Sequence, residues 1–379
     1  MASAPTSHYF DYAASAPPFE EVLEQYREVA LRAFANPSSV HTFGIEAREN
    51  FILAKSRFGE LCRFNGGYLI AASGGTEANN LVITGVMDRY PKGRLLLAKD
   101  AHASCWFAQQ KYRRRTDLLP VDTTGKIAAA AVKKALKPAT RMCSVLLANN
   151  ETGTVHDVNA IAEICAQRGV LLHCDGVQAL GHLPLALDEL RFDFFTFSAH
   201  KFGGLHGTGG VFLRSSDFEP QICGGDQQRG LRSGTENVAG LVAAASALQK
   251  SLERLAGETS RLRDLSELFV KSMQAQGPEF VLNSDLSAGL PGLVSISFAG
   301  LKSSTIVTAA ALRGFGISAG SACHSGREEP SRVVLAMGRS NKVAAGTLRI
   351  SMGRTTRQRA VLELVDVLRE AIQRQQVSR

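Results

Sequence analysis

"FTFSAHKFGG", residues 195–204, carries an apolar run into a corner that holds a lysine. Phe195, Thr196 and Phe197 read as a buried strand, and Ser198, His200 and Lys201 follow before two glycines. In α/β sheets, ligands meet the chain just beyond strand ends. A lysine is usually a solvated surface residue. Desolvated beside another cation, its amine loses the proton and becomes a nucleophile able to form a Schiff base. Lys201 is therefore a candidate for covalent chemistry, if the surrounding chain builds such a sheet.

It does in pattern. Short β-rich runs lie at 68–73, 94–99, 144–149, 170–175, 192–198 and 209–214, with helix-length segments such as 77–88 and 158–169 between several of them. Near-continuous apolar strands separated by helices predict a mostly parallel sheet covered on both faces. From about 235 to 276 the pattern becomes helical and amphipathic. A smaller α+β set follows: strand 293–299, helix 303–313, strand 347–353 and a last helix from Thr356. The expected division is a large domain over 15–250, and a small domain formed by 1–14 with 251–379.

Composition narrows the class. The chain has 379 residues, 45% hydrophobic and 21% charged, which suits a globular protein with a sizeable core. No apolar run has the roughly 18 residues of a membrane helix, and the N-terminus lacks a signal-peptide pattern, so the expected setting is cytoplasmic without membrane contact. Seven cysteines without CxxC spacing disfavour a disulfide framework and a structural zinc site, so no metal is expected. The net charge of +8 is dispersed apart from "KYRRRTD" at 111–117 and the C-terminal helix. No nucleic-acid-binding motif accompanies it, and a solvated basic surface is the simpler reading.

Upstream of the lysine, "HCDGVQALG" at 173–181 places Asp175 at a strand end and Gln178 three residues later. A lysine for an aldehyde and an acid for a protonated ring nitrogen are the two parts that pyridoxal phosphate requires. "SGGTEANN" at 73–80 is a glycine-rich strand-to-helix turn in which Gly75 and Thr76 open a helix, a ready phosphate site. His102 in "KDAHASC" and Asn150 in "NNETG" follow strands and are placed to meet a cofactor ring. One cysteine stands apart. Cys323, in "SAGSACHSGREEPS" at 318–331, sits among small residues, glycines and charges, the composition of a mobile, solvated loop. There a thiol is either incidental or a nucleophile.

These stretches, together with "FDYAASAPP" 10–18, "NPSSVHTFG" 36–44, "ANNETGTV" 148–155, "LRSGTEN" 231–237 and "TLRISMGRTT" 347–356, occur in the order of a known family. The chain resembles the cysteine desulfurases of the class V, fold-type I pyridoxal-phosphate aminotransferases, the branch with NifS- and IscS-like members. The resemblance implies a large domain with a mostly parallel seven-stranded sheet between helices, plus a smaller α+β C-terminal domain. It also implies that Lys201 binds the cofactor aldehyde, Asp175 meets the pyridine nitrogen and His102 stacks on the ring. Gln178 and Asn150 are expected at the ring oxygen. Gly75, Thr76, Ser198 and His200 belong to the phosphate, with Thr235 reaching it from the neighbouring subunit of a homodimer. Asn36 and Arg349 match the positions that hold the substrate carboxylate. Cys323 then takes sulfur from L-cysteine as a persulfide, leaving L-alanine, and hands it to an acceptor protein such as an iron–sulfur scaffold.

The chain also departs from the family pattern. "FGGLHGTGGVFLR" at 202–214 lacks the usual Gly-Pro-Lys-Gly turn, Asp226 stands where glycine is common and Ala78 where serine is frequent. His324 directly follows the cysteine, as in selenocysteine lyases. A selenocysteine lyase or another class V aminotransferase is accordingly the alternative reading.

Overall fold

The computed structural model describes residues 6–320 and 329–377. Cys323 and the rest of 321–328, together with the mobile-loop expectation attached to them, lie outside the described residues.

Among the described residues the larger sheet has seven strands: β1 (Tyr68–Ala72), β2 (Arg94–Ala98), β3 (Thr116–Leu119), β4 (Thr140–Leu146), β5 (Leu171–Asp175), β6 (Phe194–Ser198) and β7 (Gly209–Leu213). Their spatial order is β1-β7-β6-β5-β4-β2-β3, and β7 runs antiparallel to both of its neighbours while the other pairs are parallel. β5, β6 and β7 are buried at every or nearly every position, so apolar continuity rather than alternation marks them in the sequence. Parallel pairing brings the C-terminal ends of β4, β5 and β6 to one edge, where Asp175 and the Ser198–Lys201 corner emerge together.

In the large sheet, two strands differ most from the sequence reading. The strand expected at 144–149 spans Thr140–Leu146, because the chain beyond it turns back through a bridge from Ala148 to Val155. β3 was not expected at all: it is a short edge strand, half-exposed, hidden inside the basic run. Lys111, Arg113 and Arg114 of that run are exposed, while Arg115 and Asp117 are structural. Arg115 donates to the carbonyls of Met87, Tyr90 and Gly93, closing the end of the helix Gly75–Arg89. Asp117 accepts from Arg94 at 2.6 and 2.9 Å and from Lys137 at 2.5 Å.

Val238–Gln276 is one helix of 39 residues, begun by Asn237, whose side chain accepts from Gly240 N–H at 3.0 Å. Its first half, through Leu241, Ala244 and Leu248, packs into the core shared with β4, β5 and β6. Its second half, through Leu262, Phe269 and Met273, joins a separate core with Phe10, Ile350 and Leu364. The second core backs a four-stranded sheet of order β10-β11-β9-β8, made by β8 (Val281–Leu282), β9 (Leu293–Ser297), β10 (Ser318–Ala319) and β11 (Thr347–Ser351). The N-terminal segment joins this side, with Tyr9 bridged to Gly316 and Asp11 to Ser351. The last helix, Gln358–Val377, covers the small sheet. No helix among the described residues is long and apolar enough to cross a membrane.

Candidate active site

A cavity of about 310 Å³ opens where the strand ends of the large sheet face the small sheet. Ten of the residues singled out in the sequence line it: Gly75, Thr76, His102, Asn150, Asp175, Gln178, Ser198, His200, Lys201 and Arg349. Asn36 and Thr235 do not. Both are exposed on loops, and Asn36 turns its side-chain oxygen onto Ser38 N–H at 2.9 Å.

The lysine is held by backbone. Lys201 Nζ donates to the carbonyls of Ala13 and Ala14 at 2.6 and 2.8 Å. Burial, reinforced by the Arg349 guanidinium, lowers its amine to about 8, against the opposing pull of Asp11 and Asp175. A substantial neutral fraction at mildly alkaline pH is what a Schiff-base lysine needs.

Asp175, 2% exposed, meets three donors: Val177 N–H at 3.1 Å, Asn79 Nδ2 at 2.8 Å and Cys105 Sγ at 3.8 Å. These donors fix the orientation of the Asp175 carboxyl group on the cavity wall. Asn79 is itself fixed: Thr196 donates to its Oδ1 at 2.6 Å, and its Nδ2 also reaches Ser104 Oγ at 2.8 Å. Beneath these, His173 touches Thr196 Oγ1 at 3.3 Å and Ser144 Oγ at 2.8 Å. Burial lowers His173 to about 4. None of Asn79, Ser104, Thr196, His173 or Ser144 was singled out in the sequence. All but Ser144 sit inside the motifs quoted above, but nothing local shows that they meet.

At the phosphate end, the helix Gly75–Arg89 begins at the glycine turn. A Cβ on Gly75 would stand 2.7 Å from Val177 Cγ2, and one on Gly209 would stand 2.7 Å from Gly74 Cα. The missing side chains let the turn press against the loop after β5 and against β7, and Gly75 and Thr76 of the first turn line the cavity. Ser198 Oγ and His200 Nδ1 are 2.9 Å apart, and the His200 ring stacks on His206 with centroids 5.1 Å apart. Burial first, then Lys201 and His206, lower His200 to about 4. Arg232 grips Glu77 of the same helix at 2.8 and 3.3 Å, tying the loop that carries Thr235 to this end.

The opposite wall is Arg349, 2% exposed in the middle of β11. It donates to Asp11 Oδ1 at 2.7 Å and to Asn150 O at 2.9 Å. Its Nε is buried and has no partner among the described residues. A buried guanidinium donor without an acceptor fits an incoming carboxylate. Gln178 donates to Ala13 O at 2.8 Å, which joins the N-terminal segment to the floor.

The segment holding Cys323 is rooted beside this cavity. Gly320 N–H donates to Thr347 O at 2.9 Å, and Ser331 Oγ donates to Glu151 at 2.5 Å while capping Val334 N–H. Burial raises Glu151 to about 7. Arg332 lies over the Trp106 ring at 4.0 Å and donates to Lys99 O, on the segment that bears His102.

Taken together, the residues fit pyridoxal phosphate. A buried anion, a depressed lysine and a glycine turn without room for side chains line one cavity, and an orphaned guanidinium donor closes it. Comparison with known proteins agrees. A family model described as aminotransferase class-V matches residues 8–364. A cysteine desulfurase IscS from Dictyoglomus turgidum is 34% identical, with 97% of this chain and 94% of that protein aligned. Among solved structures, a NifS-like protein superposes with a TM-score of 0.88 at 28% identity, covering 96% of this chain and 99% of the other. A structure titled SspA in complex with cysteine gives 0.79 at 27% identity, over 91% and 98%. The arrangement of the cavity and the relatives of the whole chain lead to the same place: the chain belongs to the class V aminotransferase family, in its cysteine desulfurase branch.

Proposed function

We propose that this chain is a pyridoxal-phosphate-dependent cysteine desulfurase that converts L-cysteine to L-alanine and moves the sulfur onto Cys323 as a persulfide. The observation that carries the reading is a depressed lysine and a carboxylate-seeking arginine on one cavity, with the root of the cysteine segment beside them. Bound there, pyridoxal phosphate supplies the electron sink that weakens bonds at the substrate's Cα and Cβ. The chain's own residues do the rest. The first turn of Gly75–Arg89, with Thr76, Ser198 and His200, holds the phosphate. Asp175 keeps the ring nitrogen charged, His102 covers the ring, and Gln178 and Asn150 bracket its oxygen. Lys201 would hold the aldehyde and, as a free amine, would carry protons. Arg349 orients the substrate carboxylate; the Cys323 thiolate attacks the substrate sulfur, the S–S bond forms as the Cβ–S bond breaks, and the electron pair left on carbon takes up a proton to give alanine.

Asn36 is kept as a substrate-side residue and Thr235 as a phosphate ligand for the partner copy of a homodimer. Exposure of Phe34, Val40, Phe43, Ile52 and Leu53 on adjoining segments supports burial of that face against a second copy. The persulfide then passes to an acceptor protein, for which an iron–sulfur scaffold is the expected type.

The test is Cys323→Ser. With Lys201, Asp175 and Arg349 untouched, it is expected to bind cofactor and cysteine yet release no alanine above background. Alanine release near the parental rate would overturn the sulfur-carrier role of Cys323 and favour a lyase or aminotransferase.

A further inference from the structure

The polar groups below the cavity form one connected chain of hydrogen bonds through Asn79. Its Oδ1 is an acceptor only, so the Thr196 hydroxyl at 2.6 Å spends its single hydrogen there. Thr196 Oγ1 must then accept from His173 Nε2, which places the His173 proton on Nε2 and leaves Nδ1 to accept from Ser144. The two hydrogens on Asn79 Nδ2 go to Asp175 Oδ2 and Ser104 Oγ, both at 2.8 Å. The Ser104 backbone N–H donates to His102 Nδ1 at 3.1 Å, so that nitrogen is an acceptor, and the Ser104 hydroxyl 2.7 Å away donates to it as well.

We propose that Ser104 is a positioning residue for His102: its backbone N–H and hydroxyl hold the imidazole neutral with its proton on Nε2, while the same hydroxyl oxygen accepts from the asparagine that also holds Asp175. Two donors on Nδ1 leave no room for a proton there, so protonating the ring would require both to turn away. Among the described residues, the other charged or titratable groups lining this cavity are Asp175 from β5, His200 and Lys201 after β6, and Arg349 from β11. The two cations disfavour an imidazolium and the anion is already occupied by its own donors. His102 thus offers the cavity a donor at Nε2, and its orientation is shared with the carboxylate at the floor through one amide. The inference goes beyond the sulfur chemistry, since any ring covering His102 meets the same tautomer.

Nitrogen-15 NMR of histidine-labelled full-length protein tests this, with and without pyridoxal phosphate. The parent is expected to show His102 protonated at Nε2 and bare at Nδ1 across neutral pH. Ser104→Ala removes one of the two Nδ1 donors, and the two ring-nitrogen shifts of His102 are expected to move toward each other as part of the population carries its proton on Nδ1. A proton on Nδ1 in the parent overturns the proposal, whether or not the variant folds, and so do unchanged ring-nitrogen shifts in folded Ser104→Ala. Visible absorbance of the same samples reports cofactor binding separately, so a failure of the cofactor reading is distinguishable from a failure of the tautomer.

Discussion

The two walls of the cavity are built in opposite ways. The floor, from β5, β6 and the helix after β1, is a lattice: Asp175, Asn79, Thr196, His173 and Ser144 each meet at least one other buried partner. The facing wall is a single buried cation, Arg349, held by Asp11 and one carbonyl, both distant in sequence. Redundant bonds preorganise the floor for a permanent guest. A lone ion pair with a donor to spare can exchange its partner for a transient substrate. The difference teaches that cofactor binding and substrate binding are separable, and four substitutions sharpen or break that separation.

The largest effect is expected where floor and chemistry meet. Lys201→Ala should leave the fold intact and lower alanine formation by roughly 10³-fold or more. Its cofactor should also be removable by dialysis. Covalently retained cofactor in the variant would place the aldehyde elsewhere.

Next is the facing wall. Arg349→Lys keeps the charge but loses the fork, and kcat/KM for cysteine should fall about 10- to 100-fold. Cofactor content should stay parental. Loss of cofactor in this variant would show that the walls are not separable.

Asp11→Asn probes how the walls communicate. The neutral amine of Lys201 is the reactive form, so loading of the apo-protein with pyridoxal phosphate should rise with pH, with an inflection near 8. The Asp11 carboxylate favours the charged amine; removing it should shift that inflection downward by a fraction of a pH unit. Rates of loading measured across pH give the answer, and an upward shift would contradict the assigned sign.

The smallest effect belongs deepest in the floor. Thr196→Val removes the donor to Asn79 and the acceptor for His173, and should cost about 2 kcal/mol, lowering the thermal midpoint by a few degrees. A lattice with redundant bonds should keep most of its activity. A collapse in cofactor affinity would mean that this hydroxyl alone orients the floor.

The sequence by itself determined the sheet, the long helix and the strand-end residues, because each rests on local pattern. An apolar run ending in Ser-Ala-His-Lys or His-Cys-Asp reads as a buried strand wherever it occurs. A glycine turn opening a helix likewise announces an anion site. Edge strand β3 escaped that reading because it is short, half-exposed and embedded in arginines. Family order then joined the motifs into one site, and the structure brings ten of those residues to a common cavity. What only the tertiary structure decided are the pairings across the chain. Asp11 lies 338 positions from Arg349, and Asn79 lies 96 from Asp175 and 117 from Thr196. No local periodicity encodes such meetings. Hydrogen-bond partners are chosen by which side chains the packed strands leave facing one another in a space without water, where every buried donor must find an acceptor.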